Sequence, residues 1–250
     1  MYFWESLITM KITDYIANSI DRLPKGYVFS YADFLGEVKS KEAVIKALNR
    51  MALSGKINKL SKGKYFKPEK TTFGELAPPQ FQIVKDLLED EGKVIGYLTG
   101  YSVYNQLGLT TQVSNLIQIG KNEIRPAFKR GRYKISFIRQ RNTITKDNIP
   151  LLQLLDAMRY VKKIPDATIS GSCFRFITLI FQLEGTEVKT LVRLSQKYPP
   201  ACRALLGAIL EQLERTEFLN TLRKSLNPIT QYQLPGVDDV LSTAQNWNIV

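Results

Sequence analysis

The sequence predicts an α+β protein, with an N-terminal winged helix-turn-helix joined to a larger mixed, mostly helical C-terminal domain. Three observations predict it. Residues 11–66 read as helix, short helix, helix and hairpin. Short alternating strands gather between about 93 and 140, and helical apolar spacing takes over after Pro150. With 250 residues and 44% hydrophobic content, the chain is long enough for two cores.

In KITDYIANSIDR (11–22), Ile12, Tyr15, Ile16 and Ile20 share one helical face, which predicts the first helix. Leu23-Pro24-Lys25-Gly26 ends it. Met10 offers an alternative start that makes the first nine residues an extension. Tyr27-Val28-Phe29 is extended, and Ser30 caps a brief helix with Asp33 in its first turn. Ser40 caps the next helix, whose inward stripe is Val44, Ala47, Leu48 and Met51, and Gly55 closes it. KINKL and KYFKP, joined through Ser61-Lys62-Gly63, make a hairpin. The domain so read is 1–70. Three prolines and a glycine in 68–79 predict a linker at 71–79, leaving 80–250 as the second domain.

In that second domain a helix is expected from Gln80 to Gly92. A strand at VIGYL follows, then a helix from a Thr99 cap to Leu107. Strands are expected at 113–119 and 132–139. Pro150 in the first turn opens a helix that Pro165 ends. Four more helical windows follow at 170–183, 186–197, 199–214 and 216–226. Residues 228–250 mix turn and apolar residues without a period.

Charge points to function. The net charge is +12, so the chain attracts polyanions. Nine Lys/Arg and one acid, Glu42, fall within Lys39–Lys67, over the third helical element and the hairpin. Lys39, Lys41, Lys59, Lys62 and Lys64 suit phosphates, whose neutralisation releases counterions. Arg50 suits guanine and Asn49 adenine at major-groove edges. Tyr65 either stacks on sugar or packs beneath the wing. A second basic stretch, Lys121–Lys146, holds Arg125, Lys129, Arg130, Arg132 and Lys134 among its nine cations, against Glu123 alone. It reads as further phosphate contacts, a face for an acidic partner, or a solvated strand.

Other chemistry is sparse. The chain has no histidine, which removes the commonest general base and most metal sites. Two cysteines make no disulfide framework and suit a reducing compartment. The apolar start is broken by Glu5 and lacks a basic leader or cleavage site, so the expectation is a cytoplasmic protein with no membrane association and no cofactor. The tyrosines at 97, 101 and 104 read as an interaction surface or as core with hydroxyl tips. Asp166 with Glu187 and Lys189 spells a loose nuclease signature. Its Mg²⁺ chemistry needs carboxylates on adjoining strands, whereas Val188, Leu191 and Val192 have helical spacing. Two alternatives therefore stand beside DNA binding: a protein-interaction module without it, and a Mg²⁺-dependent nuclease.

Three blocks, KITDYIANSIDRLPKGYVFSYADF, KEAVIKALNRMALSGKINKLSKGKYFKP and GYLTGYSVYNQLGLTTQVSN, resemble AbiEi-type antitoxins of type IV (abortive-infection) toxin–antitoxin systems, in a Bacteroidetes-type branch. The resemblance spans about residues 10–215. It implies a non-catalytic autorepressor that binds inverted repeats in its own promoter as double-stranded DNA. It also implies a C-terminal domain that counters a nucleotidyltransferase-like toxin. The recognition-helix role passes to Lys46, Asn49 and Arg50, and the wing role to Lys59, Ser61, Lys62 and Lys64. The helical tail is longer here than in compact members of that group.

Overall fold

The computed structural model describes the backbone from residue 2 to 250 and side chains from Ile12 onward. Side chains of residues 1–11, and with them the alternative start at Met10, lie outside the described part. The fold is α+β and divides into two compact units. The first comprises residues 1–85 with 129–132. The second comprises 86–128 with 133–250.

In the first unit α1 (Tyr2–Arg22) begins earlier than the 11–22 window. It buries Ile16 and Ile20 and leaves Tyr15 largely exposed, at the edge of the expected face. Strand β1 (Val28–Ser30) leads into a 3₁₀ turn, Tyr31–Phe34. A reciprocal box closes that turn: the Ala32 amide donates to Ser30 Oγ, and the Ser30 amide donates to Asp33 Oδ2 at 2.7 Å. Helix α2 (Lys41–Leu53) starts at Ser40, whose hydroxyl accepts the Ala43 amide, and buries Val44, Ala47, Leu48 and Met51 as its period requires. Gly55 takes a left-handed φ of 74°, which ends the helix without the steric cost a Cβ brings. Strands β2 (Asn58–Ser61) and β3 (Lys64–Phe66) form the wing hairpin. The sheet order β1-β3-β2, after two helical elements and with α1 across them, is the winged-helix arrangement. Phe29, Phe34 and Tyr65 centre its core, with the two phenylalanine rings edge-to-face at 5.8 Å.

The expected linker at 71–79 is instead part of a hairpin, β4 (Glu69–Thr71) with β5 (Gly74–Leu76). The boundary moves with it, since the first unit runs on to Lys85. The single helix expected over 80–92 is two short pieces, α3 (Gln80–Ile83) and α4 (Lys85–Leu88). The cause is local. The Ile83 carbonyl accepts the Arg130 guanidinium at 2.6 Å rather than continuing the helical ladder. Then β6 (Glu89–Asp90) turns into β7 (Lys93–Val94) through Glu91 and Gly92, both at positive φ, as a tight hairpin turn requires.

The second unit is built on β8 (Gly96–Thr99), β9 (Leu116–Lys121) and β11 (Tyr133–Arg139). With the edge strand β10 (Phe128–Arg130), two of whose three residues belong to the first unit, they form a mixed sheet of order β10-β11-β9-β8. Strand β10 has no counterpart among the strands expected from the sequence. β9 and β11 run parallel, pairing Ile117 with Ile135. The helix expected after Thr99 shrinks to a 3₁₀ turn over Gly100–Ser102. Gly100 sits at φ 57°, outside the right-handed helical region, so a regular helix does not start there; Gln118 Oε1 accepts the Tyr101 amide at 3.1 Å.

Helices α5 (Ile149–Arg159), α6 (Ile169–Phe181), α7 (Gly185–Ser195) and α8 (Pro200–Gln212) follow the expected windows. The window 216–226 contains only a 3₁₀ turn and the short α9 (Leu219–Arg223). The tail without period is ordered by tertiary contacts. The Tyr232 amide donates to the Asn248 carbonyl and the Val250 amide to the Tyr232 carbonyl, a parallel bridge between Tyr232 and Ile249, and the Trp247 ring lies on Gly207 of α8. A Cβ at 207 would overlap that ring. Gly207→Ala gains about 1 kcal/mol of helix propensity, but displacing a packed indole costs up to about 3 kcal/mol. The expected net loss is about 2 kcal/mol in urea unfolding, with Gly185→Ala, where nothing lies within 4 Å, as the neutral control.

Candidate nucleic-acid interface

The periodicity that buries Val44 and Leu48 turns Lys46, Asn49 and Arg50 outward, and all three are exposed. They are not equally free. Tyr65 packs beneath the wing, 4% exposed, where burial raises its pKa, and its hydroxyl donates to Asn49 Oδ1 at 2.7 Å. The adenine pairing expected of Asn49 uses both ends of the carboxamide. Here the acceptor end is engaged by the Tyr65 hydroxyl. Arg50 Nη2 donates to Thr13 Oγ1 on α1 at 3.2 Å, so it marks the edge of the exposed face rather than its centre. Lys46 and Leu53 are nearer the centre, and Leu53 is 89% exposed.

Lys39 and Lys41 flank the helix start, Lys41 over the Tyr31 ring at 4.8 Å. On the wing Lys59 and Lys62 are exposed, while Ser61 and Lys64 are half-buried. Lys62 shares the turn with Gly63, at φ 73°, which lets so short a wing close. Asp21 and Glu75 of the same unit pair with Lys56 and Lys70.

The second basic stretch divides. Lys129 and Arg132 are exposed at the β10–β11 turn, within the first unit. That turn meets the wing: a Cβ on Gly131 would stand 2.5 Å from the Leu60 carbonyl oxygen. Two stretches far apart in the chain thus supply one basic rim, which no local pattern foretells. Arg130 does not belong to it. It is 8% exposed and its guanidinium is spent on Ile83, so its expected place in a basic surface patch is corrected to a structural one. Arg125 and Lys134 are exposed in the second unit, Arg125 stacked 5.3 Å from the Phe137 ring.

The family model described as "Family of unknown function (DUF6088)" matches residues 15–188, most of both units. The chain belongs to the DUF6088 family. No curated protein matches the sequence. The solved crystal structure of the RV2827C protein from Mycobacterium tuberculosis is similar in fold, with a TM-score of 0.55 at 12% identity over 93% of this chain and 85% of that one.

The DUF6088 chain holds a second polar constellation, buried in the second unit. Asp156, 1% exposed, accepts from the hydroxyls of Tyr97 (2.6 Å), Thr99 (2.7 Å) and Tyr198 (2.8 Å). Gln140 Nε2 donates to both tyrosine oxygens, at 2.8 and 2.9 Å. Burial raises the Asp156 pKa, and the three hydroxyls pull it back. Tyr97 reaches in because its partner across the strand is Gly120, where a Cβ would overlap the ring. Tyr97 is thus core with a hydroxyl tip. The network is closed on itself and reads as architecture.

The nuclease geometry is not assembled. Glu187 and Lys189 lie on α7, and the Glu187 carboxylate accepts the Glu184 amide at 2.9 Å as a helix cap. Asp166 lies in a loop, accepting from Gln112. Among the described residues no cluster of three His, Cys, Asp or Glu is placed to hold a metal. Both cysteines are buried, which raises their pKa, Cys173 to about 12, and leaves them unreactive. No helix among the described residues is long and apolar enough to cross a membrane.

Proposed function

We propose that this DUF6088 protein is a cytoplasmic DNA-binding autorepressor and the antitoxin of a type IV toxin–antitoxin pair. It binds inverted repeats in its own promoter with α2 and the wing, and it counters a nucleotidyltransferase-like toxin. The observation that carries the DNA half is the basic rim. Lys39, Lys46, Lys59, Lys62 and Lys129 are exposed on one compact unit of winged-helix topology, and Glu42 is the one acid within Lys39–Lys67. A duplex carries one phosphate per about 1.7 Å of axis, so five or six such contacts release as many counterions.

Affinity for a duplex from the upstream promoter therefore falls about a thousandfold between about 50 and 200 mM salt. Arg50→Ala costs about 1–3 kcal/mol on the cognate site and little on random sequence. Anisotropy titration measures both. Absence of any shift at low salt ends the DNA reading.

A second reading has one observation in its favour. The β4–β5 hairpin holds Phe73 fully exposed at its tip, with Leu76 half-exposed beside it. An interaction module using that hairpin binds a protein partner at high salt and shifts no DNA.

A further inference from the structure

We propose that the second unit binds a nucleoside polyphosphate in two adjoining cavities at the start of α8. The first cavity, about 300 Å³, is walled by Arg139, Arg141, Arg159 and Lys197, with no acid in its lining. The chain places them there for identifiable reasons. Gln140, just past the end of β11, is 4% exposed, and Arg139 and Arg141 on either side of it are exposed. Arg159 is the last residue of α5. Lys197 follows α7, and its ammonium donates to the Arg141 backbone carbonyl at 3.2 Å, which holds that ammonium beside the 139–141 segment.

Four like charges around so small a volume repel one another unless an anion lies between them. Pro199 and Pro200 complete the wall, and they open a 13-residue helix whose N-terminus has no side-chain cap. Neither proline carries an N–H, and the Cys202 and Arg203 amides donate to the Pro199 carbonyl, so the attraction for phosphate comes from the four cationic side chains. The floor does not compete, since the Gln140 amide and Tyr198 hydroxyl are committed to the buried network.

The second cavity, about 290 Å³, shares Arg159 and Pro199 with the first. It is cationic too, through Lys162 and Lys163, but adds Tyr160, Tyr232, Gln231 and Gln233, which the first cavity lacks. Tyr232 is 6% exposed, and its hydroxyl is buried with no hydrogen-bond partner. An unmet buried hydroxyl costs about 1–3 kcal/mol, which a polar group of a bound ligand recovers. Two cationic cavities that share Arg159 and Pro199, only the second of them also lined by Tyr160, Tyr232, Gln231 and Gln233, match a polyphosphate joined to a base. Their combined size falls within the range of about 300–1,000 Å³ usual for small-molecule sites. The inference does not depend on the DNA reading.

The test is calorimetric titration of the full chain with ATP, GTP and inorganic tripolyphosphate at about 0.15 M salt, where diffuse attraction to a basic protein is screened. At least one nucleotide is expected to bind with a Kd of about 1–100 μM, tripolyphosphate at least about tenfold more weakly. Arg139→Ala with Arg141→Ala, both at exposed positions, weakens the nucleotide at least about tenfold while the melting temperature holds. Tyr232→Phe narrows the preference for nucleotide over tripolyphosphate. No saturation by 1 mM nucleotide overturns the proposal. So does equal affinity for tripolyphosphate, or undiminished binding by the double variant.

Discussion

Reversing Lys46, Lys59 and Lys62 together to glutamate lowers duplex affinity by about a thousandfold or more at about 0.1 M salt, roughly 4 kcal/mol. The three residues are exposed, one on α2 and two on the wing. Each phosphate left without its lysine takes about 0.9 off the salt slope, so the slope flattens by roughly 3 while repulsion weakens binding further. Net charge alone does not produce this. Reversing Lys189, Arg193 and Lys224, all exposed in the second unit, changes the net charge identically, from +12 to +6 over three two-unit steps. That control set weakens binding by about tenfold or less, because charges beyond a Debye length of about 10 Å are screened. Equal losses from the two sets mean that diffuse attraction rather than the winged helix holds the duplex. Lys129→Glu then tests whether the β10–β11 turn joins the interface. A further loss of about tenfold is expected, with a slope change near 1.

The parts of the interface legible in the sequence are those set by neighbours along the chain. The Ser40 cap, the Val44–Ala47–Leu48–Met51 stripe and the Gly55 stop are all local, and α2 has them all. Arg130 shows the limit. Within a run of cations a buried arginine looks like its exposed neighbours, and only the Ile83 carbonyl, 47 residues away, separates them. The same hydrogen bond breaks the helix expected over 80–92, so one unseen contact accounts for two corrections. The hairpin at 69–76 is masked by prolines that sit beside the strands rather than in them. Asp156 does leave a signal. It lies four residues after Leu152 and one after Leu155, on the stripe that the helical period sends inward. An acid on that stripe announces a buried carboxylate, but its partners at 97, 99 and 198 come from remote segments.

That carboxylate supplies the other large effect. Asp156→Ala destabilises the second unit by about 3–5 kcal/mol, because a buried donor stripped of its acceptor costs about 1–3 kcal/mol and three hydroxyls converge here. Some of that is recovered. Tyr198 retains the Leu152 carbonyl at 3.4 Å, and removing a carboxylate held above its usual pKa relieves a desolvation cost. Thr99 and Tyr97 have no such second acceptor among the described residues, so the loss prevails. Asp156→Asn keeps an acceptor and costs less, about 1–2 kcal/mol. The two proteins also differ in pH response. Between the unfolded value near 3.8 and the raised native value, the folded chain keeps the Asp156 proton and the unfolded chain does not. Raising the pH through that window therefore weakens the native protein, and the weakening is complete above the native pKa. The Asn variant lacks this component, so its stability relative to wild type improves as pH rises through the window. Urea unfolding followed by Trp247 fluorescence in a Trp4→Phe background reads the second unit directly. An Ala variant as stable as wild type, or a pH difference of opposite sign, shows that the three hydroxyls do not depend on a carboxylate that burial keeps from ionising.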